Sequence, residues 1–344
     1  MSEVVLNNRL FDLQRFYFGV FVQNGRAQSE PSVLARTREL SDDQISLSMR
    51  LARLEPPVPS QASDEMPSAI GLFRAQGSGH ILAIAQITSA GFPQLLCLFL
   101  ESQLVVALGG NLQPFIGLAY SEMPVFAGPR ALKPFRLDQP EPLSQDEQYD
   151  IIQNMLFYCH DNMRVVQGLL SALIRGERIA ILNAPPSLEV RLEMSLGLVS
   201  LLPAPARVIL SLATNVIRPE TSTAQVQFMA PGVMPARADV VFDWATGAIT
   251  PPQILRHDFA AFVVSQLRLD PMLAIEQTEY LARTATWRAI RRDDVSTALH
   301  WVSRRAKVDL AVGGGAAGAR GAGDGGLREG ERRSGGDGGD EKSK

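Results

Sequence analysis

The chain predicts a mixed α+β and α/β fold: a β-rich amino-terminal domain, a βαβ-containing domain, carboxyl-terminal helices and a disordered glycine-rich tail. Three observations carry this. Strand-like apolar runs fill the first 143 residues. A well-punctuated helix–strand–helix–strand block runs from Ser144 to Asn215. Beyond residue 253 helical periodicity takes over, until the composition turns to glycine and charge at Gly313.

In the amino-terminal domain, 1–143, Arg15–Val22 (RFYFGVFV) is aromatic and β-branched, as strands are. Ser41-Asp42-Asp43-Gln44 is a helix-start signal, followed by Ile45, Met49 and Ala52. Glu55–Met66, rich in Pro and Ser, reads as a loop. Strands are expected at 69–75, 80–88, 95–101 and 103–108, with Glu101-Ser102 turning the last two into a hairpin. The prolines at 129, 134, 140 and 142 predict an extended linker that closes the domain.

The α/β domain, 144–252, begins with the capping box Ser144-Gln145-Asp146-Glu147. Ile152, Leu156, Cys159, Met163, Val166, Leu170 and Leu173 then recur at steps of four and three up to Arg175-Gly176. That spacing predicts an amphipathic helix of about 30 residues, roughly 45 Å long, with a bend or break expected near Asp161-Asn162 or Gly168. Arg178–Asn183 reads as a strand ended by Ala184-Pro185-Pro186, and Ser187 as the N-cap of a helix carrying Leu188, Leu192, Leu196 and Val199. Leu201-Leu202-Pro203 closes that helix, and 207–213 (RVILSLA) is the second buried strand of a βαβ unit. Two more strands are expected at 225–229 and 238–244, with a turn at Thr246-Gly247.

The helical segment, 253–312, holds expected helices at 257–269 and from Pro271 to about Arg291. A last one is capped by Asp293 or Asp294 and carries Val295, Ala298, Leu299, Val302 and Ala306 in one arc. Residues 313–344 hold too few apolar side chains to offset the entropy of ordering, so a disordered tail is expected.

The net charge of −3 argues against a dedicated nucleic-acid binder, and two cysteines, Cys97 and Cys159, against a disulfide framework. The first residues lack a secretory pattern, and Ile81–Leu108 is interrupted too often for a membrane span, so a cytoplasmic location is expected. The four histidines have no partner at chelate spacing, and no phosphate-binding glycine loop or nucleophile elbow occurs; no metal, cofactor or catalytic role is expected. One candidate ligand crevice stands out: Asn183 and Ser187 at a strand end and helix start, joined by Thr214 and Asn215 if the two central strands are neighbours. The bland alternative is that Asn183 and Ser187 only turn and cap the chain. Arg288, Arg291, Arg292, Arg304 and Arg305 form a candidate basic surface for an acidic partner, or simply a solvated helix face.

The phrase LLSALIRGERIAILNAPPSLEVRLEMSLGLVSLLPAPARVILSLATNV resembles the middle region of bacterial GTPase-associated proteins, in its Leu201-Leu202-Pro203, Arg207 and Leu210-Ser211-Leu212-Ala213-Thr214. FYFGVFVQNGRAQSEPSVLARTRELSDDQ is similar to the start of their first domain. The resemblance implies a non-enzymatic adaptor or regulator whose protein partner is a small GTPase in a bacterial signalling or defence system. The residues leave two other readings open: an enzyme or small-molecule sensor using the strand-end crevice, and a homo-oligomeric scaffold using the long helix's stripe.

Overall fold

The computed structural model of the protein describes residues 10–57, 68–75, 79–138, 140–207, 210–252 and 257–284, with positions 286, 288, 290 and 292. The expected tail, the Asp293–Asp294 helix start and Arg291, Arg304 and Arg305 lie outside the described residues.

The chain opens with β1 (Leu10–Leu13), β2 (Arg15–Gly19) and a small hairpin of β3 (Val22–Gln23) and β4 (Arg26–Ala27). Asn24-Gly25 turns that hairpin with φ of 51° and 73°, the left-handed pair an Asn-Gly turn supplies. Strand β5 (Ser32–Thr37) leads into α1 (Asp42–Leu51), where Ser41 and Gln44 form the expected capping box. Strands β6 (Ser68–Ala75), β7 (Gly79–Ile87) and β8 (Pro93–Leu100) form an antiparallel meander.

Residues 103–108 are not a strand: Ser102–Leu108 is helix α2. Leu104, Val105 and Leu108 are buried together at helical spacing while Val106 points outward. The left-handed Gly109 ends the helix by donating its N–H to the carbonyls of Val105 and Val106. The five-residue apolar run Leu104–Leu108 fits either period, and the glycine just past it decides for the helix.

Helix α3 (Gln113–Tyr120) follows, then β9 (Arg130–Leu132) and β10 (Phe135–Asp138). The expected linker is extended, as its prolines require, but it carries ladder bonds: β9 pairs with β5 and β10 with β1.

The expected long helix is two, α4 (Gln145–Tyr158) and α5 (Met163–Arg175). His160 and Asp161 adopt φ of 56° and 52°, and Asn162 restarts the helix by accepting from the N–H of Arg164 at 3.1 Å. The break is thus at Asp161-Asn162. The apolar stripe on both halves is buried in the core, including Ile152, Leu156, Val166 and Leu170, so it packs the core and is not open as a seam for self-association.

Next come β11 (Ile179–Leu182), α6 (Leu188–Ser200), the short α7 (Ala204–Arg207) and β12 (Leu212–Val216). The second strand therefore starts later than Arg207, which is helical. The order continues with β13 (Val226–Met229), β14 (Val240–Asp243), β15 (Ala248–Thr250), α8 (Asp258–Leu267) and α9 (Pro271–Thr284).

Among the described residues one eleven-stranded sheet runs β15-β14-β11-β13-β12-β6-β7-β8-β2-β5-β9. Its β14-β11-β13-β12 section is parallel, and β12 joins the meander through an antiparallel pairing with β6. The sheet thus continues across the expected boundary at residues 143 and 144. The crossover from β11 through α6 to β12 passes over β13, so β11 and β12 are not neighbours.

Strand alternation sorts two cores. In β7, Leu82 and Ile84 face the layer of α2 to α9, while Ile81, Ala83 and Ala85 face α1. Each fully buried Leu or Ile contributes roughly 1.5–3 kcal/mol relative to exposure. Helices α4 and α6 meet tightly at Gly197, where a Cβ would stand 2.5 Å from that of Met155. Among the described residues no helix is long and apolar enough to cross a membrane.

Candidate functional site

Strands β11, β12, β13 and β14 are parallel, so their carboxyl ends share one edge, where α/β sheets hold ligands. Asn183 follows β11 with φ of 55°, a left-handed conformation that asparagine tolerates, and donates from Nδ2 to Oδ1 of Asp243 at 2.9 Å. Hydrogen bonds from Asn183 and from the backbone of the following turn hold the Asp243 carboxyl below its usual range. Ser187 is the N-cap of α6, its Oγ accepting from the N–H of Val190 at 3.3 Å. The turn-and-cap reading of these two residues describes what they do.

The crevice beside them is filled by the chain itself. Arg191, on the first turns of α6, points back toward the helix start, as the tilt of helical Cα–Cβ bonds directs. Its Nε donates to the carbonyl of Pro185 at 2.8 Å, Nη2 to that of Ala184 at 3.1 Å and Nη1 to that of Thr214 at 2.5 Å. The guanidinium also sits 5.9 Å from the ring centroid of Phe228 on the intervening β13. Only 2% of Arg191 is exposed, and burial lowers its pKa to about 10, so it remains a cation at neutral pH. Among the described residues it has no carboxylate partner; three carbonyls and an aromatic face hold the charge.

Thr214 and Asn215 are buried rather than open to a ligand. The Thr214 hydroxyl accepts from the N–H of Ile70 at 2.8 Å and donates to the Ile70 carbonyl at 3.0 Å. It thereby extends the β12–β6 ladder one residue beyond its two backbone pairs. Asn215 donates from Nδ2 to the carbonyl of Glu55 at 3.2 Å. Both residues tie the parallel section to the amino-terminal half. The structure therefore does not bring Asn183, Ser187, Thr214 and Asn215 together as an open pocket.

A second buried arginine works the other end of α6. Arg207 donates from Nε to the Leu202 carbonyl at 2.8 Å, and from Nη2 to the Ser200 carbonyl and the Gln148 Oε1, both at 3.1 Å. It satisfies carbonyls that a helix end leaves unpaired. Burial lowers its pKa, and Glu279 acts against that shift.

Near the same strand ends, Tyr158 donates from Oη to Oε2 of Glu193 at 2.6 Å, and its ring lies 5.0 Å from that of Trp244. Burial, with the Glu193 carboxylate beside it, pushes the Tyr158 phenol far above its usual range. Nε2 of His160 lies 2.8 Å from the Trp244 carbonyl, which makes that nitrogen the donor.

Arg191 and this aromatic group were missed at the level of sequence. A signal for Arg191 existed. It falls beside the arc shared by Leu188, Leu192 and Val199, so an arginine sits at the edge of an apolar stripe. Of the candidate basic surface, Arg288 and Arg292 are exposed, and the other three arginines lie outside the described residues. Burial raises the thiol of Cys159 to about 12 and that of Cys97 higher still, so neither supplies a thiolate at neutral pH. Among the described residues no three His, Cys, Asp or Glu side chains are grouped to hold a metal ion. A scan of protein-family models gives no match to this chain, and a search of curated proteins gives none either.

Proposed function

We propose that the chain is a non-enzymatic adaptor: a mixed-sheet platform that presents its surface to a protein partner. The observation that supports this reading is Arg191. A buried guanidinium bonded to three carbonyls fills the edge where an α/β enzyme or nucleotide sensor would seat its ligand. Thr214 and Asn215 then serve to join two halves of one sheet. Under the resemblance in the middle region, the partner is a GTPase of a bacterial signalling or defence system.

Affinity capture on the immobilised full chain tests this, with host extract loaded with either a non-hydrolysable GTP analogue or GDP. The expected result is recovery of a GTPase in one nucleotide state over the other. Recovery of no GTPase in either state contradicts the proposed partner.

A further inference from the structure

A groove of about 450 Å³ opens on the α1 side of the sheet. Phe18, Ala85 and Leu95 contribute from β2, β7 and β8; Met49 and Leu54 contribute from α1 and the segment after it. The space exists because this sheet face carries small side chains such as Ala85, where the opposite face carries Ile84 and Leu96. A cavity of this size falls within the ~300–1,000 Å³ usual for small-molecule sites.

The wall is anchored rather than loose. Asn215 holds the Glu55 carbonyl at 3.2 Å, and the Thr223 hydroxyl donates to the Leu51 carbonyl at 2.9 Å. Arg218 pairs with Glu55 at 3.1 Å. Three charged groups line the groove: Arg53, Arg218 and Glu55. Glu55 is matched by Arg218, while the exposed Arg53 has no ion-pair partner among the described residues. Among the described residues the groove thus combines an apolar interior with one surplus positive charge.

We propose that this groove binds a single-chain amphiphile with one negative charge, an unbranched alkyl carboxylate. The apolar lining takes the chain, and Arg53 takes the carboxylate in a charge-assisted hydrogen bond. A cation is disfavoured by the surplus charge. A dianionic head is disfavoured by Glu55, which already neutralises Arg218. The groove borders the end of β12 through the Asn215–Glu55 bond but opens on the α1 face of the sheet, opposite the face that α6 and Arg191 cover, and its assignment does not rest on the adaptor reading.

Calorimetry on the full chain with hexanoate, octanoate and decanoate, each below its micelle concentration, tests the proposal. Saturable one-to-one binding is expected to tighten about fourfold per added methylene until the groove is full. Decanol is expected to bind about tenfold more weakly than decanoate, for want of the charged head. Arg53→Gln is expected to lower decanoate affinity to the level of decanol while leaving decanol binding and the melting temperature unchanged. Met49→Trp, which fills the groove, is expected to abolish both. No saturable binding anywhere in the series overturns the proposal. So does decanol binding as tightly as decanoate with Arg53→Gln leaving both unaltered.

Discussion

Nη1 of Arg191 donates to the carbonyl of Thr214 at 2.5 Å, joining the first turns of α6 to the strand that follows that helix. Because β13 lies between β11 and β12, this bond spans the strand-end edge instead of lying in a ladder. Arg191→Met keeps only the apolar stem, loses the guanidinium's contact with Phe228 and leaves the carbonyls of Ala184, Pro185 and Thr214 without that donor. A loss of about 2–4 kcal/mol is expected by urea denaturation, from buried acceptors left unpaired. Arg191→Lys should recover only part, since an ammonium lacks the planar fork that reaches three acceptors.

The Thr214 hydroxyl continues the β12–β6 pairing through Ile70. Thr214→Val fills the same space without the hydrogen bonds, and a loss of about 1–3 kcal/mol is expected because a buried N–H and C=O lose their partner. Thr214→Ser keeps the hydroxyl and should lie closer to the parent. Slow amide exchange at Ile70 in the parent and its acceleration in Thr214→Val would report the same bond directly.

At the α4–α6 crossing, a Cβ on Gly197 would meet the Met155 Cβ at 2.5 Å and the Ile151 carbonyl at 3.1 Å. Gly197→Ala is therefore expected to destabilise by about 1–3 kcal/mol through overpacking, despite alanine's better helix propensity. Trimming Met155 to alanine should not rescue it, since the clash involves Cβ and backbone atoms. Thermal melts of the single and double variants check both statements.

The α4 capping box carries a pH dependence of known sign. The Ser144 hydroxyl and backbone N–H both donate to Glu147 Oε2, at 2.7 Å each, and hold its carboxyl below the usual 4.5. A depressed folded-state pKa gives stability that is full above the unfolded value and lost as pH falls through the folded one. Ser144→Ala should therefore cost about 1 kcal/mol at neutral pH. The deficit should shrink on acidification to about pH 3, below the ordinary carboxylate range. Glu147→Gln should remove the pH-dependent part.

How much of this was legible beforehand depended on how local the physics is. Caps and stops are local, so Ser41, Ser144, Ser187 and Gly176 were readable, and each sits where its chemistry predicts. The α4–α5 break was readable to the level of alternatives, because residues that tolerate a left-handed conformation stand at 160–162. Residues 103–108 form a helix where a strand is expected, because a short apolar run fits both periods. Strand order was not readable at all: nothing local to 226–229 announces that it inserts between β11 and β12, and that insertion separates the predicted crevice residues. The continuity of the sheet across residues 143 and 144 is equally non-local, since β12 meets β6 some 140 residues earlier in the chain. Arg191 lay between these cases, visible as a charge at the edge of an apolar stripe but with partners set only by the tertiary arrangement.

Chemical rescue tests most directly whether Arg191 closes the strand-end edge. Arg191→Ala leaves a guanidinium-shaped hole lined by three carbonyls, so its melting temperature should fall well below that of the parent. Millimolar ethylguanidinium should then raise the variant's melting temperature while leaving the parent's unchanged or slightly lowered. A variant as stable as the parent, or an equal response of both proteins to ethylguanidinium, would contradict the account.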